Sequence, residues 1–211
     1  MQGLYLVTDR GLCGERTDEI VSQAVEGGAQ YVQLREKNVS TRFFIDEAHR
    51  LQALLQHLRV PLIINDRVDV ALAVDAGGVH LGQDDMPAAL ARRLMGPKAI
   101  IGLSVECWGD VEAAQDLDVD YLGVSPVFPT PTKTDTKGAW GLEGLARIRA
   151  YSRHSLVAIG GLNETNAADA IEAGADAIAV VSAICAAPDP RRAARKLREI
   201  INPSLNRRIQ I

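Results

Sequence analysis

Aromatic residues are scarce in this chain, at 4% of the sequence, and cysteine is scarcer still, with only Cys13, Cys107 and Cys185. An odd number of widely spaced cysteines argues against a disulfide framework and offers no zinc-ligand spacing. Such usage suits a reducing compartment, and the cytoplasm is the expected location. Charge of one sign is missing too: 23 basic against 27 acidic residues leave a net charge of −4. No basic field is available to attract nucleic acid. No apolar run approaches the roughly 20 residues needed to span a bilayer, so no membrane partner is expected. The opening residues MQGLYLVTDR lack a basic segment followed by a long apolar stretch, and no signal peptide is expected. Apolar residues make up 47% and charged residues 24% of 211 positions. That composition belongs to a folded globular chain, and one domain over 1–211 is expected.

What is present is a repeated short apolar run. The runs are Leu4–Val7, Tyr31–Leu34, Leu62–Ile64, Gly78–Leu81, Ala99–Leu103, Tyr121–Val124, Leu156–Ile159 and Ala177–Val181. Each is nearly continuous rather than alternating, as strands buried on both faces are. Stretches with helical spacing separate them. Phe44, Ala48, Leu51, Leu54 and Leu55 lie on one stripe, and Ala193, Ala194, Leu197, Ile200 and Ile201 on another. Asn163 reads as a helix N-cap, with Glu164 near the positive end of that helix. A loose repeat links AVEGGAQYVQLR, AVDAGGVHLGQ and AIEAGADAIAVVS, each reading helix end, glycine, strand. Eight parallel strands joined by helical crossovers close most economically into a single (β/α)8 TIM barrel.

A barrel gathers its chemistry at the C-terminal ends of its strands. The residues ending the runs are therefore informative. The second run ends in Gln33, Arg35 and Lys37, the third in Asn65 and Asp66, and the fourth leads to Asp85. The fifth ends in Ser104, and the sixth opens a long loop holding Thr130, Thr132 and Lys133. The seventh ends in Gly160 and Gly161 and the eighth in Val181 and Ser182. Cations Arg35, Lys37 and Lys133 beside carboxylates Asp66 and Asp85 suggest a polyphosphate held jointly by cations and a metal. Mg²⁺ uses one or two carboxylates and completes its shell with phosphate and water oxygens. Rim salt bridges are the blander account of the same charges. Glycines after the seventh run and the end of the eighth suit a second phosphate, held by backbone N–H groups. His80 lies inside the fourth run and reads as a core histidine. Trp108 and Trp140 suit a hydrophobic plug as well as ligand stacking. The loop 125–141 has no apolar period, and its length leans toward function.

Taken together these segments resemble the thiamine-phosphate synthase (thiamine-phosphate pyrophosphorylase) family along essentially the whole chain. The matching segments are YLVTD, QLREK, INDR, GVHLGQDD, GLS, GVSPVFPTPTK, AIGGL and AIAVVSAI. The resemblance implies condensation of a pyrimidine diphosphate with a thiazole phosphate to give thiamine phosphate and pyrophosphate. It also implies a Mg²⁺ cofactor held by Asp66 and Asp85. The pyrimidine-diphosphate site would comprise Gln33, Arg35, Lys37, Asn65, Ser104 and Lys133, with Arg35, Lys37, Ser104 and Lys133 catalytic. The thiazole-phosphate site would comprise Thr130, Pro131, Thr132, Gly161, Val181 and Ser182. This chain departs from the family after Ser104, where Val105-Glu106 replaces the Ala-His or Thr-His often seen.

Two other readings compete. One is a paralogue acting as a thiazole tautomerase or regulator, which could dispense with the metal site; Asp66, Asp85, Lys37 and Lys133 argue against it. The other is a sugar-phosphate isomerase or epimerase on the same fold, which needs a tuned base at a strand end. Assembly into a homo-oligomer is left open by the sequence.

Overall fold

In the computed structural model the described residues are 1–130 and 138–209, the side chains of 208 and 209 excepted. Strands β1 (Gly3–Val7), β2 (Tyr31–Leu34), β3 (Leu62–Asn65), β4 (Gly78–Leu81), β5 (Ile100–Val105), β6 (Tyr121–Val124), β7 (Ser155–Ile159) and β8 (Ala177–Val180) form a closed barrel in chain order. All pairings are parallel, and β1 returns to pair with β8. The eight apolar runs are the eight strands: those of β2, β4 and β6 agree at both ends, and the other five differ by one or two residues.

The helices are α1 (Arg10–Cys13), α2 (Thr17–Glu26), α3 (Thr41–Leu58), α4 (Val68–Ala73), α5 (Ala88–Met95) and α6 (Trp108–Ala114). They continue as α7 (Gly141–Tyr151), α8 (Ala167–Glu172), α9 (Ser182–Cys185) and α10 (Pro190–Ile209). Among the described residues no helix is long and apolar enough to cross a membrane. Local chemistry sets their starts. The Ser40 side chain accepts the Phe43 N–H at 3.2 Å, which caps α3. Phe44, Ala48, Leu51 and Leu55 then face the barrel, buried. Asp189 accepts the Arg192 N–H at 2.9 Å ahead of Pro190, an acceptor followed by a residue that needs no amide partner.

One expected cap is displaced. Asn163 does not cap α8 directly; its carboxamide oxygen accepts the Thr165 N–H and hydroxyl, closing a turn three residues upstream. Asn163 competes for its own local backbone more effectively than for a helix that begins later. Glu164 instead forms an ion pair with Lys196 of α10.

Two apolar layers hold the barrel. Outward-facing strand residues such as Leu4, Leu6, Val32, Leu34 and Ile64 pack under the helices. Inward-facing residues Tyr5, Val7, Ile63, Tyr121, Val157, Ala177 and Ala179 fill the barrel itself. Successive side chains on each strand therefore alternate between two buried environments. That is why the runs read as continuous rather than alternating.

Candidate active site

The C-terminal rim encloses a cavity of about 710 Å³, within the usual size for a small-molecule site. Gln33, Arg35, Lys37, Asn65, Asp66, Asp85, Ser104, Thr130, Gly161, Val181 and Ser182 all line it. Eleven positions drawn from seven strand ends thus converge on one space. Pro131, Thr132 and Lys133, the remaining expected site residues, lie outside the described residues.

The charged wall is built from β2, β3 and β4. The Arg35 N–H donates to the buried Thr8 hydroxyl at 3.1 Å, and its guanidinium lies 3.4 Å from Asp9. Lys37 Nζ meets Asp66 Oδ2 at 2.5 Å. Asp66 leaves β3 with φ at 64°, a left-handed conformation that a non-glycine residue rarely adopts. Asp85 is anchored by the Gly82 N–H, which donates to Oδ2 at 2.7 Å. Burial lifts the Asp85 carboxyl above its ordinary pKa, and the neighbouring Asp66 pushes the same way. Two facing carboxylates balanced by one lysine leave negative charge that a divalent cation would relieve. No group of three or more metal-binding side chains exists among the described residues. Mg²⁺ needs only one or two carboxylates and takes its other oxygens from substrate and water. The donor set fits that ion.

The opposite wall comes from β6, β7 and β8. Gly161 has φ at 66°, and a Cβ there would sit 2.8 Å from both the Phe128 Cβ and the Pro129 carbonyl. Only glycine satisfies both restrictions. The contact fixes the start of the long loop: Val127 N–H donates to Ile159 O at 2.9 Å and Phe128 N–H to Gly160 O at 3.1 Å. The far end is tied by Trp140 N–H to Pro126 O at 2.9 Å. Thr130 is thereby held over the cavity, and Ser182 opens α9 at the edge of it.

The floor holds residues whose part the sequence does not announce. His80 lines the cavity rather than the outer core. Its Nδ1 lies 2.9 Å from Tyr121 Oη and its Nε2 2.9 Å from Ser104 Oγ. Tyr121 and Tyr5 hydroxyls are 3.1 Å apart, and Gln33 Nε2 donates to Tyr5 Oη at 3.0 Å. Polar groups inside otherwise apolar runs are the signal that marks them. Both tryptophans lie off the cavity lining. Trp108 carries the Arg147 guanidinium 4.0 Å above its ring, and Trp140 Nε1 donates to Val105 O at 3.3 Å. They are packing residues.

The family model for thiamine monophosphate synthase matches residues 4–184. The chain belongs to that family. It is 56% identical over 200 residues to a thiamine-phosphate synthase of Albidiferax ferrireducens, covering 94% of this chain and 91% of that protein. A thiamine-phosphate synthase of Chloroflexus aurantiacus is 53% identical over 200 residues, covering 94% and 92%. The solved structure of a thiamine phosphate pyrophosphorylase from Pyrococcus furiosus superposes with a TM-score of 0.88 at 42% identity, covering 96% of each chain. Family membership and the barrel expected from the eight apolar runs agree.

Proposed function

We propose that this chain is a thiamine-phosphate synthase. It joins 4-amino-2-methyl-5-(diphosphooxymethyl)pyrimidine to 4-methyl-5-(2-phosphoethyl)thiazole, or its carboxylated form, and releases pyrophosphate. The observation that carries the reading is one cavity with two unlike walls. A cation-and-carboxylate wall suits a diphosphate, and a glycine-and-serine wall suits a monophosphate. The match to thiamine-phosphate synthases over most of the chain supports it.

In this reading the bond between the pyrimidine methylene carbon and the diphosphate oxygen breaks first. The electron pair leaves with diphosphate, and the amino group stabilises the cation that remains. The thiazole nitrogen then donates its lone pair to form the new C–N bond. That nitrogen carries no proton, so no general base is needed. Arg35, Lys37 and Lys133 meet negative charge that grows on the leaving group, and so act more strongly in the transition state than before it. Mg²⁺, held by Asp66 and Asp85, supplies Lewis-acid neutralisation of the same charge when bound. Gly161, Val181 and Ser182 hold the thiazole phosphate, with Thr130, Pro131 and Thr132 of the long loop.

Pyrophosphate release by the purified protein tests the proposal, with each substrate and Mg²⁺ omitted in turn. Release that requires all three is expected. Absence of release, with thiazole phosphate still bound in calorimetry, favours the tautomerase or regulator reading.

A further inference from the structure

The floor of the cavity carries an unbroken hydrogen-bond chain from Gln33 through Tyr5, Tyr121 and His80 to Ser104. Four elements contribute to it besides β1: β2, β4, β5 and β6. The barrel is shaped to admit it. A Cβ at Gly102 would fall 2.1 Å from Tyr121 Cζ, and one at Gly123 would fall 2.9 Å from His80 Cε1. His80 and Tyr121 stack with centroids 5.5 Å apart, and Tyr5 meets Tyr121 edge-on at 6.1 Å. Each ring is held by its neighbour.

Proton counting gives the chain a direction. Burial lifts both phenol pKa values above their ordinary value, so each keeps its single proton. Gln33 donates to Tyr5. Tyr5 therefore spends its proton on Tyr121, and Tyr121 spends its own on His80 Nδ1. A neutral imidazole that accepts at Nδ1 carries its hydrogen on Nε2 and donates to Ser104. The Ser104 hydroxyl proton is then turned toward the cavity, while Gln33 presents its carboxamide oxygen. Reversing the Gln33 amide reverses every bond in turn. Ser104 would then offer a lone pair, and Gln33 its NH₂ group. The two ends cannot be set independently.

We propose that Tyr5, Tyr121 and His80 form a positioning relay that couples the hydrogen-bond polarity of Gln33 to that of Ser104. The cavity thereby selects a ligand with a donor at one end and an anionic oxygen at the other. An anion beside Ser104 calls for a donated proton, and that choice leaves Gln33 an acceptor. An exocyclic amino group satisfies Gln33, and an oxo group in its place meets a lone pair. The identity of the ligand rests on the synthase reading; the relay itself rests on the geometry. None of the three relay residues transfers a proton to substrate.

The test compares the amino-pyrimidine diphosphate with its 4-oxo analogue, as the ratio of kcat/KM. Wild type, Tyr5→Phe, Tyr121→Phe and the double variant are assayed with Mg²⁺, and circular dichroism checks each fold. Each single variant is expected to lose roughly tenfold of the preference for the amino substrate, about the value of one oriented hydrogen bond. The double variant loses no more than either single one, because one chain is cut twice. Equal losses on both substrates, with the preference intact, would make the tyrosines structural and overturn the relay. Nitrogen-15 NMR of His80 with inorganic pyrophosphate gives an independent readout. Hydrogen on Nε2 is expected, and hydrogen on Nδ1 refutes the ordering. If the wild type turns over neither substrate, the synthase reading fails, and the imidazole spectrum still decides the relay.

Discussion

Replacing Glu36 by glutamine should make the protein more resistant to alkaline conditions. Glu36 lies between Arg35 and Lys37 in sequence, yet it does not line the cavity. Its side chain is 1% exposed and lies 3.9 Å from Arg10, which also reaches Glu47 at 3.4 Å. Arg50 approaches Glu47 at 3.4 Å from the other side. Among the described residues, Glu36 Oε2 is buried with no hydrogen-bond partner. Burial, and then the nearby Glu47, push the Glu36 pKa from 4.5 to about 7, against the opposing pull of Arg10. The folded state therefore holds a proton that the unfolded chain releases near its ordinary value. The stabilisation is complete below the unfolded pKa and is lost as pH rises through the folded one. A displacement of that size is worth about 3 kcal/mol. Glutamine keeps the shape and cannot ionise, while groups elsewhere titrate alike in both proteins. The stability of Glu36→Gln relative to wild type should rise by about 3 kcal/mol between about pH 4 and pH 8. In a chain of this length that moves the difference in Tm by roughly 6–12 °C. Thermal denaturation across that pH series measures it. A difference that stays constant with pH would refute the argument.

Asp66→Ala or Asp85→Ala should lower Mg²⁺-dependent turnover by roughly 10²-fold or more, with circular dichroism unchanged; undiminished turnover would remove both from the metal site. Ser182→Ala should raise KM for the thiazole phosphate and leave KM for the pyrimidine diphosphate as it was, and an effect on the pyrimidine alone would show the two walls to be misassigned. Gly161→Ala should destabilise the fold by about 1–3 kcal/mol in urea titrations, because alanine must adopt a left-handed backbone there and meet Phe128 and Pro129. A variant as stable as wild type would show that the loop junction can shift.

The barrel was legible because its strands are buried on both faces, which leaves eight apolar runs with no alternation to confuse them. The rim was legible because strand ends in a barrel share one side, so Arg35, Asp66 and Gly161 could be grouped without any contact being known. The floor was not. Tyr5, His80 and Tyr121 sit inside the runs, where a buried polar side chain reads as core until its partners are known. Those partners come from other strands: His80 lies 41 residues from Tyr121 and 24 from Ser104. Asn163 shows the complementary failure. Its own downstream backbone satisfies it, and a local pattern could not tell a cap from a turn that precedes one.

The seam between β1 and β8 has a consequence for how the chain is made. Every other strand pairs with the one just before or after it, so each can zip up as it emerges. β1 also pairs with β2, but its other edge must wait for β8, synthesised about 170 residues later, on the order of ten to thirty seconds at usual translation rates. Throughout that interval its edge amides and carbonyls invite pairing with a neighbouring chain. α10, which follows β8, packs against α2, α8 and β1 and covers the seam. Pairing of β8 and docking of α10 thus end the nascent barrel's exposure to aggregation.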